Sequence, residues 1–241
     1  MANFDTHLIV GATVSLIVSE TLITMEILSP SLALSAFFLG TLGSLMPDMD
    51  SNYSKSIKVS FTMISILFTM LLVSMKSQYY SLIELLIISI AIFSAIRFGV
   101  IELLRGVSKH RGMFHSIPVA LIWGMATAII SNVFFKFNPL ISWIYGFMII
   151  IGYITHLTLD EIYSVDLANK KIKKSFGTAL KLFKFKTPID RIQTILIYII
   201  LVLLIQISPT ITPFRNALFS NEAIAIFINI LLPYDGKWFI H

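Results

Sequence analysis

The run SLALSAFFLGTLGSLMPDMD, residues 31 to 50, follows a Ser29-Pro30 breaker, stays apolar for the length of a helix, and ends on a proline and two aspartates two residues apart. Its first part has the composition of a membrane segment, and its last part has the composition of a polar site. The rest of the chain decides between a buried core helix and a span. Of 241 residues, 56% are hydrophobic and 13% charged, and mean hydropathy is +0.86. Such a balance excludes an ordinary soluble domain. A hydrocarbon core about 30 Å thick asks for roughly 20 apolar residues per helix. Several apolar windows meet that length, with boundaries that follow breakers at Ser29-Pro30, Met46-Pro47, Gly106, Asn138-Pro139 and Ser208-Pro209. They predict an all-α polytopic membrane bundle of about seven helices: Leu8–Leu28, Ser31–Met46, Ser56–Met75, Ser81–Leu104, Met113–Phe135, Leu140–Tyr163 and Ile192–Ile207. No repeat or composition shift marks a second domain, so residues 1–241 read as one. The first window has no basic stretch ahead of it and no small-residue cleavage site, and is expected to be a retained span.

Seven spans put the N-terminus and the segments after the second, fourth and sixth helices on one face. That face carries 13 basic residues, among them Lys55, Lys58, Arg105, Lys109, Arg111 and the run from Lys170 to Arg191; the other has Lys76, Lys136, Arg215 and Lys237. The positive-inside rule makes the basic-rich face cytoplasmic. Glu20 and Arg97 lie within predicted spans, where a charge is costly and usually faces protein.

Alternation brings the chemistry to the same place. His7, His110, His115 and His156 fall at helix ends on the basic-rich face, as do Asp48, Asp50 and Asp160. In HLTLD, His156 and Asp160 are four apart and share a helical face. His110 and His115 are five apart, about 140° around a helix, so they converge only if His110 sits in the preceding loop. Pro47 stops the second helix, and an extended turn after it would aim Asp48 and Asp50 the same way. Taken singly, an Asp-x-Asp is commonly a solvated helix end, a lone His a polar cap, and His156 with Asp160 an oriented histidine. Together they form a nitrogen and oxygen donor set suited to zinc, or to manganese or iron, in one ion or more. The chain has no cysteine, so thiolate ligation and disulfides are excluded. His241, at the last position, joins no cluster.

These residues resemble the YdjM-type inner-membrane metal-dependent hydrolases. The likeness rests on His7, on GSLMPDMDS at 43 to 51, on HRGMFHS at 110 to 116, on GYITHLTLDEIYSVD at 152 to 166, and on KKSFGTALKLF at 173 to 183. It implies a membrane-embedded metallohydrolase whose motif residues are His7, Asp48, Asp50, His110, His115, His156 and Asp160. A fainter likeness, in the order of the same elements, is to the zinc-dependent phospholipase C and single-strand nuclease superfamily, whose members hydrolyse phosphoesters.

On that implication Asp50, His115 and Arg111 are the expected catalytic residues, with Arg111 offering a fork of donors to a phosphate and Lys109 adding charge. A bound metal would lower the pKa of water toward about 7 and make a serine nucleophile unnecessary. Ser116 reads as a helix-start hydroxyl, and Glu161, about 100° from Asp160, as an outlying acid. Between Lys170 and Lys186, seven lysines accompany Ile172, Phe176, Leu180 and Phe183 at near-helical spacing, which predicts a basic amphipathic helix on an anionic phospholipid surface. The expected activity is hydrolysis of a phospholipid or other phosphoester at the cytoplasmic interface. Two competitors stand beside it: a membrane-tethered nuclease, and a noncatalytic metal-binding transporter or regulator.

Overall fold

The structure, a computed structural model, describes residues 3–50, 55–100, 115–166, 171–172, 180–183, 185 and 187–232. It is a bundle of helices: α1 (Phe4–Thr24), α2 (Pro30–Gly43), α3 (Lys55–Lys76), α4 (Leu82–Ser94), α5 (Ile117–Val133), α6 (Pro139–Ile162), α7 (Pro188–Ile207), α8 (Thr212–Phe219) and α9 (Asn221–Leu231). A 3-10 turn, Met46–Asp50, follows α2, and a π-helical turn, Ala95–Val100, continues α4. The start signals are local. Asn3 accepts from the Thr6 amide, Asn138 accepts from Ile141 with Pro139 in the first turn, and Ser81 with Glu84 and Thr187 with Asp190 form reciprocal capping boxes.

Each of the seven predicted windows contains a helix among the described residues, the fourth followed as far as Val100 and the fifth from Ile117. Five apolar segments are long enough to cross a bilayer: α1, α3, Leu82–Gly99, α6 and α7. The other two are shorter. α2 has 14 residues and α5 has 17, about 21 and 26 Å at 1.5 Å per residue, so neither covers a full hydrocarbon core by itself. α8 and α9 were not foreseen; the Trp143 indole donates to the Pro209 carbonyl at 2.8 Å, and Phe214 packs on Trp143 and Phe147, which fastens α8 to the start of α6.

α6 is the axis of the bundle. It packs against α1, α2, α5 and α8, and 61% of its most apolar window is buried, compared with none of the corresponding window of α4. Tyr145, Met148, Ile149, Tyr153 and Leu157 line its core face. Close approach there depends on small residues. A Cβ on Gly152 would collide with the Gly40 carbonyl oxygen of α2, one on Gly43 with the Ile149 carbonyl oxygen, and one on Gly11 with the Ser44 side chain. Between helices in lipid, where apolar burial offers no advantage over lipid tails, such backbone-to-backbone packing is a main source of association. The many exposed Ile and Leu side chains of α4 and α7 are the lipid-facing counterpart.

The segment predicted as a basic interfacial helix is different where it is described. Lys171–Ile172 is extended and pairs antiparallel with Val165–Asp166, and Leu180–Phe183 is not helical. Ring stacking accounts for the non-helical course of Leu180–Phe183: Phe183 stacks on Phe185 and on Tyr198 of α7, and the Tyr198 hydroxyl donates to the Leu182 carbonyl at 3.1 Å. The Ile117 amide donates to the Lys181 carbonyl at 3.2 Å, which ties the strip to the start of α5. The remainder of Lys170–Lys186 lies outside the described residues.

Candidate metal centre

Four chain segments deliver the centre. His7 is in the second turn of α1, Asp48 is in the 3-10 turn after α2, His115 immediately precedes α5, and His156 and Asp160 share one face near the end of α6. The 3-10 turn replaces the extended turn expected around Asp48, because Pro47 is fully buried and the chain coils tightly on leaving α2. Five of the seven expected ligands therefore converge. His110 and Arg111 lie outside the described residues, as does the side chain of Asp50. Ser116 occupies the cap position of α5 as read from sequence, and Glu161 is not in the ligand groups.

The nitrogen–oxygen distances within the cluster run from 3.3 to 3.8 Å. His7 Nε2 lies 3.3 Å from Asp160 Oδ1. His156 Nε2 lies 3.6 Å from both Asp48 Oδ1 and Asp160 Oδ2, and His115 Nε2 lies 3.5 and 3.8 Å from the same two carboxylates. The His7 and His156 rings stack at 3.6 Å with 12° between planes. His156 Nδ1 is 2.7 Å from the Ser44 carbonyl oxygen; a carbonyl only accepts, so Nδ1 carries a proton, and in the neutral ring Nε2 then turns a lone pair toward two carboxylates.

That arrangement is repulsive unless something cationic lies within it. Among the described residues, His156 Nε2, His115 Nε2 and His7 Nδ1 are buried with no hydrogen-bond partner, which natively folded chains avoid unless water, an ion or function accounts for the atom. Two triads have ligand atoms all within 4.8 Å of one another: His7, His156 and Asp160, fully buried, and Asp48, His115 and His156, on the more open side. The residues present thus fit a divalent ion. Because Nδ1 is committed to Ser44, His156 has one nitrogen to give. A single ion can take it, and a second would need ligands beyond these five.

Ser44 was not singled out from sequence. Its carbonyl sets the His156 tautomer, and its hydroxyl, buried between α1 and α2, lies 2.7 Å from the Thr41 carbonyl and 3.2 Å from that of His7. The available signal was the small-residue spacing of Gly11, Ser15 and Ser19 in α1 and of Gly40, Gly43 and Ser44 beside it. Lys55 also ties α3 to α1, at 2.9 Å from Asp5, in an exposed pair of small energetic weight. Glu20 and Arg97 do not meet: Arg97 Nε donates to Thr62 Oγ1 at 2.7 Å.

The family model described as YdjM inner membrane protein matches residues 1–232. No curated protein and no solved structure matches the chain.

Proposed function

The chain belongs to the YdjM inner membrane protein family, and from that membership and the centre's geometry we propose a membrane-embedded, metal-dependent hydrolase that cleaves a phospholipid phosphoester at the cytoplasmic interface. The observation that carries the reading is a gradient of exposure across the ligands. The side chains of His156, His7 and Asp160 are 0, 1 and 4% exposed, whereas those of His115 and Asp48 are 16 and 34% exposed. A structural ion is closed in by its ligands; a catalytic one keeps an accessible position. Here the closed side is the floor and the Asp48–His115 side is the mouth.

His7, His156 and Asp160 would hold the ion from below, with His115 and Asp48 completing the shell at the mouth. Three imidazole nitrogens and two carboxylates without sulfur suit zinc, and manganese or iron by the same donors. When bound, the ion supplies Lewis acidity, lowering the pKa of a water toward about 7 and polarising a phosphoryl oxygen. Arg111 and Lys109, in the segment leading into His115, would contribute positive charge to the phosphate. A site made from helix ends lies at headgroup depth, so a lipid can reach it without leaving the bilayer.

The test incubates purified protein in mixed phospholipid vesicles with zinc or manganese and reads released headgroup or diacylglycerol by mass spectrometry, with His115→Ala as the blank. Release above the blank supports the reading. Cleavage of single-stranded nucleic acid in place of lipid transfers it to a nuclease, and cleavage of neither makes the centre structural or a metal-handling site.

A further inference from the structure

Arg97 is a positively charged residue in the π-helical turn that continues a membrane-length apolar helix. Such a residue is expected to have a ligand or a partner, because a bare charge at this depth is expensive. Its described partner is a hydroxyl, not a carboxylate: Nε donates to Thr62 Oγ1, and Thr62 Oγ1 donates onward to the Lys58 carbonyl at 2.8 Å. Among the described residues Arg97 has no ion pair, and its guanidinium lies 5.4 Å from the Phe98 ring. Anchoring by Nε leaves the two terminal nitrogens for a planar, bidentate acceptor. Lys58, one turn before Thr62, is on the same face of α3.

The position suits a headgroup. Thr62 lies seven residues into α3, about 10 Å from the end that follows the Met46–Asp50 turn. Ile96, next to Arg97, packs with Met49 of that turn against Ile57 and Phe61. Away from that end, the seam between α3 and α4 opens into a groove of about 440 Å³ lined by Ile66, Thr69, Met70, Val73, Ile90 and Phe93. Ile66, Met70 and Val73 continue the Thr62 face at spacings of four, four and three; Phe93 and Ile90 continue from Arg97 in the same way. One seam therefore carries a cationic end and an apolar body of the volume that buries a small ligand.

We infer that this seam holds one anionic phospholipid, its phosphate on Arg97 and Lys58 and an acyl chain in the α3–α4 groove. Charge complementarity selects the occupant: an apolar partner helix would leave the guanidinium fork unanswered. The inference does not rest on the hydrolase reading, since neither cation is a ligand of the metal centre.

Native mass spectrometry of the full chain, released from detergent with phosphatidylglycerol or phosphatidylcholine titrated in, tests it. One phosphatidylglycerol should be retained in preference to phosphatidylcholine. The Arg97→Gln, Lys58→Gln double variant should bind it about tenfold more weakly, as expected for losing charge-assisted bonds, and Arg97→Lys should fall between. Val73→Trp, which fills the groove and leaves both cations, should also weaken binding, and serves alone if the double variant does not elute as folded protein. Lys76→Gln, at the other end of α3, should match the wild type. Equal retention in wild type and Val73→Trp, no preference for the anionic lipid, or a dimer that displaces lipid from the seam would each overturn the proposal.

Discussion

The proton on His156 decides the character of the centre. With Nδ1–H given to the Ser44 carbonyl, Nε2 of the neutral ring can only accept, and it faces Asp48 and Asp160 at 3.6 Å. Three acceptors pointed at each other need a cation between them. A metal answers all three, whereas a proton on Nε2 would answer one and leave His7 Nδ1 and His115 Nε2 without partners. Replacing His156 or Asp160 with Ala should therefore remove most bound metal while the chain still inserts into membranes, measured by elemental analysis of purified protein. Unchanged stoichiometry in both variants would sink the assignment. The same logic gives a stability test. Metal at about 100 times its Kd should stabilise the fold by roughly 2.7 kcal/mol, so a chelator should lower the melting temperature of the wild type and leave that of His156→Ala unmoved.

Among the helices, glycine holds the ligands in register. Gly152 is four residues before His156, and a methyl group there would meet the Gly40 carbonyl of α2. Backbone cannot rotate away as a side chain can, so Gly152→Ala should force α6 from α2 and lengthen the His156–Ser44 bond. The expected cost is about 1–3 kcal/mol, the usual range for overpacking, read as a lower melting temperature together with weakened metal retention. A melting temperature and metal content equal to wild type would show that the helices can spread without loss. This contact also marks the limit of legibility in the sequence. HLTLD discloses its shared face because helical spacing is a local rule, and the breakers at Pro30, Pro47 and Pro139 place helix ends to within a few residues. Which glycine meets which carbonyl depends on partners far apart in the chain, so Ser44 went unread. The 3-10 coil at Pro47 was likewise hidden, because proline ends a helix without dictating the conformation of the turn after it. Phe183 reads as part of an amphipathic periodicity with Ile172, Phe176 and Leu180 until Tyr198, on another helix, supplies the ring it stacks against.

At the scale of the whole molecule, helix alternation is visible as two ends of the bundle. The start of α1, the exit of α2, the approach to α5 and the end of α6 meet at the metal centre, while the start of α6 and the exit of α7 meet where Trp143 bonds Pro209. Geometry within the bundle does not say which end faces the cytoplasm; the sequence carries the expectation. Alternation of seven spans assigns thirteen basic residues to the side that holds the ligand motifs and four to the other, and the positive-inside rule predicts that side to be cytoplasmic. The chain contains no cysteine, so single cysteines report cleanly. Ser54→Cys, Ser108→Cys and Ser175→Cys should resist an impermeant thiol reagent applied to intact cells and react once the membrane is opened. Ser77→Cys, in the exposed turn between α3 and α4 at the far end, should react from outside. The paired readout separates an inverted protein, in which the two sets exchange, from a misassigned span, in which they mix. Either result would move the centre off the cytoplasmic leaflet and remove the reason for seeking its substrate among cytoplasmic-leaflet lipids.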